Sequence, residues 1–185
     1  WIYPVAMNWL MVSTSILMMK SATKTEKMDF PTWLNGWTIY AHPCFIDQYN
    51  ALVARVEDLK HRFPDPIVFQ KKKETKVLAH LLKSIANITH EPRASVYRPG
   101  DSIGQAYTDW SRAKFGGGRY RLFFRYSLES KIIVIAWVND EGSLRTYGSK
   151  TDAYKIFGKM LDEGNPPDDW LSLLQACQND GKEHP

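Results

Sequence analysis

Three stretches of the 185-residue sequence predict an α+β domain. Residues 118–126 alternate in character, with Tyr120, Leu122, Phe124 and Tyr126 on one face and Arg119, Arg121, Phe123 and Arg125 on the other, which is strand periodicity. Residues 131–138, KIIVIAWV, are apolar on both faces and suit the centre of a sheet with a layer on at least one side. Residues 45–60 and 70–88 repeat apolar side chains at helical spacing. In chain order these give a strand, two helices, three strands and a helix. The expected sheet is four-stranded and mainly antiparallel, with two N-terminal helices packed on it and one or two C-terminal helices. No internal repeat is visible.

The elements follow from local signals. Residues 1–19 form an apolar run interrupted by Pro4, Asn8 and Ser13–Ser15, marginal as a membrane span and without a basic start, so residues 1–27 are expected to be a peripheral extension ahead of Met28. Residues 36–41 alternate as a first strand with Trp37, Ile39 and Ala41 on one side, and His42-Pro43 stops it. Pro43 fits the first turn of the next helix, and Phe45, Tyr49, Leu52, Val56 and Leu59 make that helix's inward stripe. His42 is expected as a cap or a surface residue.

Pro64 and Pro66 break the periodicity into a loop, and a helix is expected from Gln70 to Ile88 with Val77, Leu78, Leu81, Leu82, Ile85 and Ile88 inward. Lys71, Lys72, Lys73 and Lys76 crowd its start, against the helix dipole; a polyanion would offset that, and so would plain solvation. Residues 91–109 form a long loop. After the arginine strand come a turn at residues 127–130, the central strand, a turn at Asn139-Asp140-Glu141-Gly142 and a last strand over 143–147. Thr151 is expected to cap a helix over 153–161 whose inward face is Ala153, Ile156, Phe157, Met160 and Leu161, with Tyr154 at its boundary. Gly164, Pro166 and Pro167 end it. Asp168 or Asp169 then caps a final helix carrying Trp170, Leu171, Leu173, Leu174 and Cys177, and residues 179–185 form a frayed tail. Residues 28–178 are thus one domain.

Lys plus Arg total 24 against 20 Asp plus Glu, so the net charge of +4 says less than its concentration. Residues 112–125, RAKFGGGRYRLFFR, hold five cations and no acid, interrupted by three glycines that permit left-handed backbone. This is either a surface for an anionic ligand or a solvated basic hairpin. Cys44 and Cys177 are far apart, and the histidines at 42, 61, 80, 90 and 184 are scattered. Neither supplies a metal-ligand spacing or a persuasive nucleophile, so no metal and no cofactor are expected.

The runs MDFPTWLNGWTIYAHPCF, DWSRAKFGGGRYRLFFRY, WVNDEGSLRTYGSKTDAYKIFGKML and GNPPDDW resemble the YhaV branch of the RelE superfamily of bacterial toxins, from Met28 to about Trp170. The resemblance implies a RelE-like fold and a small metal-independent endoribonuclease. Such an enzyme cuts messenger RNA, in many relatives on the ribosome, and inhibits translation in the cytoplasm. It also implies a PrlF-like antitoxin partner and, with it, repression of the shared operon through operator DNA; no membrane partner is implied. The superfamily's strand arginine matches Arg121, and its second arginine corresponds to Arg145. The base-stacking tyrosine corresponds to Tyr154, with Tyr147 a second candidate. Arg112 belongs to the branch's own WSR motif, and Lys114 corresponds loosely to the lysines of ribosome-dependent relatives.

RNA brings its own nucleophile, the 2′-hydroxyl, so aligned cations can drive its attack on the adjacent phosphate. Arg121 and Arg112 are expected to hold that phosphate, Lys114 to take the 2′-proton and Arg145 to orient the phosphate or assist the leaving group. Arg119, Arg125, Tyr147, Lys150, Lys72 and Lys73 are expected along the bound strand. The products would be a 2′,3′-cyclic phosphate and a 5′-hydroxyl. The alternative, from the same superfamily scaffold, is a non-catalytic toxin that inhibits a target such as gyrase by binding.

Overall fold

The computed structural model describes residues 27–146 and 148–179. The expected extension, apart from Lys27, the tail from residue 180 and Tyr147 lie outside the described residues. Strands β1 (Thr32–Leu34) and β2 (Trp37–Ala41) form a hairpin through Asn35-Gly36, which sit at φ of 50° and 82°. An Asn-Gly pair matches the twist of a two-residue loop. Helix α1 (Pro43–Arg62) begins with Pro43 in its first turn, and His42 Nδ1 accepts the Cys44 N–H at 3.2 Å. His42 is buried, so of its two expected roles it takes the cap and not the surface.

A short helix, α2 (Pro66–Gln70), starts where Asp65 accepts the Ile67 N–H, within the stretch expected to be loop. Helix α3 (Lys73–His90) follows, three residues later than expected. Then come β3 (Ser111–Phe115), β4 (Tyr120–Ser127), β5 (Ile132–Val138), α4 (Ala153–Asp162) and α5 (Trp170–Asn179).

The sheet has five strands in the order β1-β2-β5-β4-β3, antiparallel except for the parallel β2–β5 pair. This corrects the four-stranded expectation in two ways. Strands β1 and β3 are added, both at the edges, and residues 143–146 of the expected last strand form no strand. Residues 141–143 instead make a 3-10 turn closed by reciprocal Asp140 and Ser143 side-chain bonds, while the Thr146 N–H goes to the Asp152 carboxylate at 2.9 Å. The Arg145 N–H reaches the Arg119 carbonyl at 3.0 Å, but side chains take the Asp140 and Thr146 donors, so no ladder extends.

Helices α1 and α3 cover one face, where Phe45, Tyr49, Val56, Leu81 and Ile85 meet Ile39, Leu122, Phe124, Ile133 and Ile135. Helices α4 and α5 cover the other, against Phe123, Val134, Ala136 and Trp137. Phe123 lies opposite Trp137 while Phe124 lies opposite Ile135, so a bulge at Ala136 turns both Ala136 and Trp137 toward α4. Phe157 then stacks on Phe123 at 4.1 Å, lies parallel to Trp137 at 5.9 Å and receives the edge of Trp110 at 5.0 Å. Burying a side chain of this size contributes about 1.5–3 kcal/mol, which holds α4 across the arginine-bearing face. The arginine-bearing face, read from sequence as a ligand surface or a solvated basic face, is thus covered by α4.

Candidate active site

Fixing Phe157 fixes what stands one turn before it. Asp152 caps α4 by accepting the Tyr154 N–H at 3.0 Å, a role the sequence reading gave to its neighbour Thr151. Tyr154 is therefore held above the sheet, its ring edge-on to Phe123 at 5.7 Å and its side chain buried. Its hydroxyl accepts from Arg112 Nε at 2.7 Å and from Arg121 Nε at 3.1 Å. Arg145 lies over the same ring, 4.9 Å from its centroid, and pairs with the buried Asp152 carboxylate. Three guanidinium groups that are distant in sequence thus surround one phenol.

The strand register explains two of them. In the antiparallel β3–β4 pair Arg112 faces Phe123 and Lys114 faces Arg121, so all four side chains leave the sheet on the α4 side. Arg112 and Arg121 are diagonal neighbours in this register, about 7–8 Å apart and within reach of each other's long side chains. Arg121 is further tied by Nη1 to the carbonyls of Gly118 at 2.7 Å and Tyr120 at 2.9 Å, and Arg112 by Nη1 to the Val96 carbonyl. These bonds occupy Nε and Nη1 of each arginine, and Nη2 of each has no partner among the described residues. The turn before β4 is built by Gly116, Gly117 and Gly118, all left-handed at φ of 57°, 66° and 79°. A Cβ on Gly116 would also stand 2.7 Å from the Tyr120 ring.

Arg112 and Arg121 are both buried and share one hydroxyl oxygen. Two like charges about 5 Å apart at an effective dielectric of about 20 repel by about 3 kcal/mol. The site consequently favours an anion that both can reach. Arginine suits phosphate in particular, because its planar fork donates to two oxygens at once.

The other expected site residues divide. Lys114 is exposed on the α4 side beside Arg121, and Arg119 is exposed in the glycine turn at the start of β4. Lys150 is exposed in the loop leading to α4, and Tyr147 lies outside the described residues. Arg125, expected on the RNA path, pairs with Asp109 at 3.0 Å and Asp168 at 3.8 Å and lies over the rings of Trp110 and Trp170. Its charge is already matched, and it clamps the loop before β3 to the loop before α5.

Lys72 sits over the Phe63 ring at 3.4 Å, and Lys73 pairs with Glu141 at 2.5 Å. Both belong to the helical layer on the sheet's opposite face, away from Arg112 and Arg121. A cleft on that face is lined in part by Arg55, Glu74, Asp140 and Glu141, where the acids outnumber the base and disfavour a polyanion. Lys73, then Tyr120, donate to Glu141 and hold its carboxyl below the usual carboxylate range.

Two supporting residues escaped the sequence reading. The buried Asn139 receives the Arg121 N–H at its side-chain oxygen and donates to the carbonyls of Arg119, at 3.2 Å, and Ser143, at 2.9 Å. It joins the arginine strand to the turn that leads to Arg145. Asp152 is the other, and an aspartate directly before an amphipathic helix was its available signal. Among the described residues no group of three or more His, Cys, Asp or Glu side chains is placed to hold a metal ion. No helix among them is long and apolar enough to cross a membrane.

Residues 39–178 match a family model described as a toxin with endonuclease activity, of a toxin–antitoxin system. The chain is 56% identical over 153 residues to Toxin YhaV of Escherichia coli O6:H1 strain CFT073, and 55% identical over 153 residues to Ribonuclease toxin YhaV of Escherichia coli K12. Each alignment covers 82% of this chain and 98% of the relative. No solved structure matches the chain to a significant degree.

Proposed function

The chain belongs to the YhaV family of toxins with endonuclease activity, and from that premise we propose that it cleaves messenger RNA by metal-independent attack of the 2′-hydroxyl on the neighbouring phosphate, in the basic cluster around Tyr154. The observation that carries this reading is a single hydroxyl holding Arg112 and Arg121 together, with Arg145 over the same ring.

In this mechanism the unpartnered Nη2 groups of Arg112 and Arg121 bind the two non-bridging oxygens of the scissile phosphate. Lys114, beside Arg121, accepts the proton of the 2′-hydroxyl as that oxygen attacks phosphorus. Arg145 faces the 5′-oxygen that leaves, and Arg119 and Lys150 hold flanking phosphates. The bond to the 5′-oxygen breaks and that oxygen takes a proton from water, giving a 2′,3′-cyclic phosphate and a 5′-hydroxyl. Tyr154, with its ring against Phe123 and its hydroxyl between two arginines, supports orientation of those arginines better than stacking on a base. Base stacking would then fall to Tyr147. Catalysis here is positioning plus charge stabilisation in a site built before RNA arrives.

Membership of a toxin–antitoxin family implies a cognate antitoxin. We propose that it is PrlF-like, that it restrains the enzyme by occupying the basic cluster, and that together they repress their operon with DNA contacts supplied by the antitoxin. The matched strand arginine further suggests that the family lies within the RelE superfamily, with cleavage on translating ribosomes in the cytoplasm. The test of the reaction is an end-labelled RNA incubated with the purified chain in EDTA. Cyclic-phosphate ends are expected, and a 2′-deoxy substitution at the cut site should abolish cleavage there. Cleavage that needs added magnesium, or that survives the 2′-deoxy substitution, would overturn the mechanism.

A further inference from the structure

Asp152 makes more contacts than a helix cap requires. One oxygen accepts the Tyr154 N–H at 3.0 Å, and the other accepts both the Thr146 N–H at 2.9 Å and the Arg145 guanidinium. The side chain is only 3% exposed, against 21% for Arg145. A carboxylate withdrawn this far from water is costly to desolvate and must be closely partnered. Here the partners are two parts of the cationic cluster: the residue that carries the third guanidinium, and the backbone of the tyrosine that holds the other two.

The cap alone does not need the charge. Asparagine, serine or threonine would accept the Tyr154 N–H equally well. What only a carboxylate supplies is the ion pair that directs the Arg145 guanidinium, whose backbone N–H is already tied to the Arg119 carbonyl at 3.0 Å. The pair also removes one positive charge from a cluster of three guanidiniums, which lowers the repulsion among Arg112, Arg121 and Arg145 when no RNA is bound.

We infer that Asp152 is a positioning residue for RNA cleavage, acting through Arg145: it holds that guanidinium in its working direction over the Tyr154 ring and trims the cluster's charge. This rests on the reading of the cluster as the cleavage site. Losing the carboxylate therefore has opposite effects on two steps. RNA binding is driven by net positive charge and does not weaken, while the chemical step, which depends on aim, slows. A loss of fold would lower both.

The experiment compares the full chain with D152N, R145A and the double variant. Single-turnover cleavage of a fluorescent RNA is measured in EDTA, and affinity is measured with the same sequence made uncleavable by 2′-deoxy substitution. Near-UV circular dichroism confirms the fold at the assay temperature. D152N is expected to slow cleavage about 10- to 100-fold, the size of effect that a small misplacement produces, with affinity unchanged or tighter. In the R145A background the same substitution should change the rate by less than about threefold, because the group it acts through is gone. Wild-type cleavage by D152N, a parallel loss of cleavage and affinity, or full additivity in the double variant would each overturn the inference. If R145A itself cleaves normally, the assignment of Arg145 to the cleavage site fails instead, a separate outcome.

Discussion

Replacing Arg121 by alanine tests the cluster most directly, because its effects on stability and on catalysis are separable. The folded chain loses three contacts, to the carbonyls of Gly118 and Tyr120 and to the Tyr154 hydroxyl. Each hydrogen bond from a charged donor is worth about 1.5–3 kcal/mol, but removing Arg121 also removes its repulsion with Arg112, about 3 kcal/mol at the same effective dielectric. The net destabilisation is therefore about 1.5–6 kcal/mol, readable by urea titration.

Cleavage suffers differently. Losing one charge-assisted phosphate contact, about 1.5–3 kcal/mol, slows a reaction by about one to two decades. Arg121→Lys sharpens the test: an ammonium keeps the charge and reaches one carbonyl, yet cannot bridge two carbonyls and a phosphate together. The lysine variant should recover most of the stability and still cleave about tenfold more slowly in a single-turnover assay. A folded alanine variant that cleaves within about threefold of the parent would remove Arg121 from the mechanism. Full activity in the lysine variant would show that charge suffices and that the fork geometry is irrelevant.

Arg125→Ala is expected to behave in the opposite way, lowering stability by about 2 kcal/mol through the lost bonds and tryptophan contacts, or about 4–8 °C in Tm, with the cleavage rate per folded molecule preserved; a catalytic defect at intact stability would restore Arg125 to the RNA path. Glu141, whose folded carboxyl titrates below its ordinary value of 4.5, stabilises the fold fully above that pH and loses its contribution as pH falls through the lower folded value. Glu141→Gln should flatten the acid limb of a stability–pH profile below about pH 5, and an unchanged limb would mean that the Lys73–Glu141–Tyr120 tie carries no stability.

How far the site was legible depends on whether its cause was local. Alternation along β4 assigned Arg121 and Phe123 to one face and Tyr120, Leu122 and Phe124 to the other, as found, because strand geometry allows no other parity. The apolar stripe of α1 and the left-handed glycines were legible for the same reason. Alternation does not say what stands above a face, however. That Arg121 is buried follows from Phe157 stacking on Phe123 and lying parallel to Trp137, contacts across many residues of sequence that periodicity does not register. Arg125 shows the same limit. Within the strand it is one more cation, and only the fold brings Asp109 and Asp168 to it. Strand β3 was missed although Arg112 and Lys114 alternate with Ala113 and Phe115, since five residues between a long loop and a glycine turn carry a weak signal.

The burial of the two strand arginines also bears on how the site can favour a transition state over bound RNA. A guanidinium on an open strand would have to be ordered and desolvated during each encounter, and its attraction for phosphate would be screened by water and salt. Here Tyr154, the Val96 carbonyl and the Gly118 and Tyr120 carbonyls have already ordered both groups through their Nε and Nη1 donors. What remains are the Nη2 donors, held at a fixed separation by a shared hydroxyl. In the proposed mechanism negative charge on the non-bridging oxygens grows as the 2′-oxygen adds to phosphorus, and donors that need no reorganisation gain most where the charge is greatest. The mutual repulsion of Arg112 and Arg121 acts in the same direction, since it is relieved in proportion to the charge placed between them. If the scissile phosphate binds there as proposed, ground-state RNA relieves part of it and the transition state relieves more, and that difference in binding would accelerate the reaction.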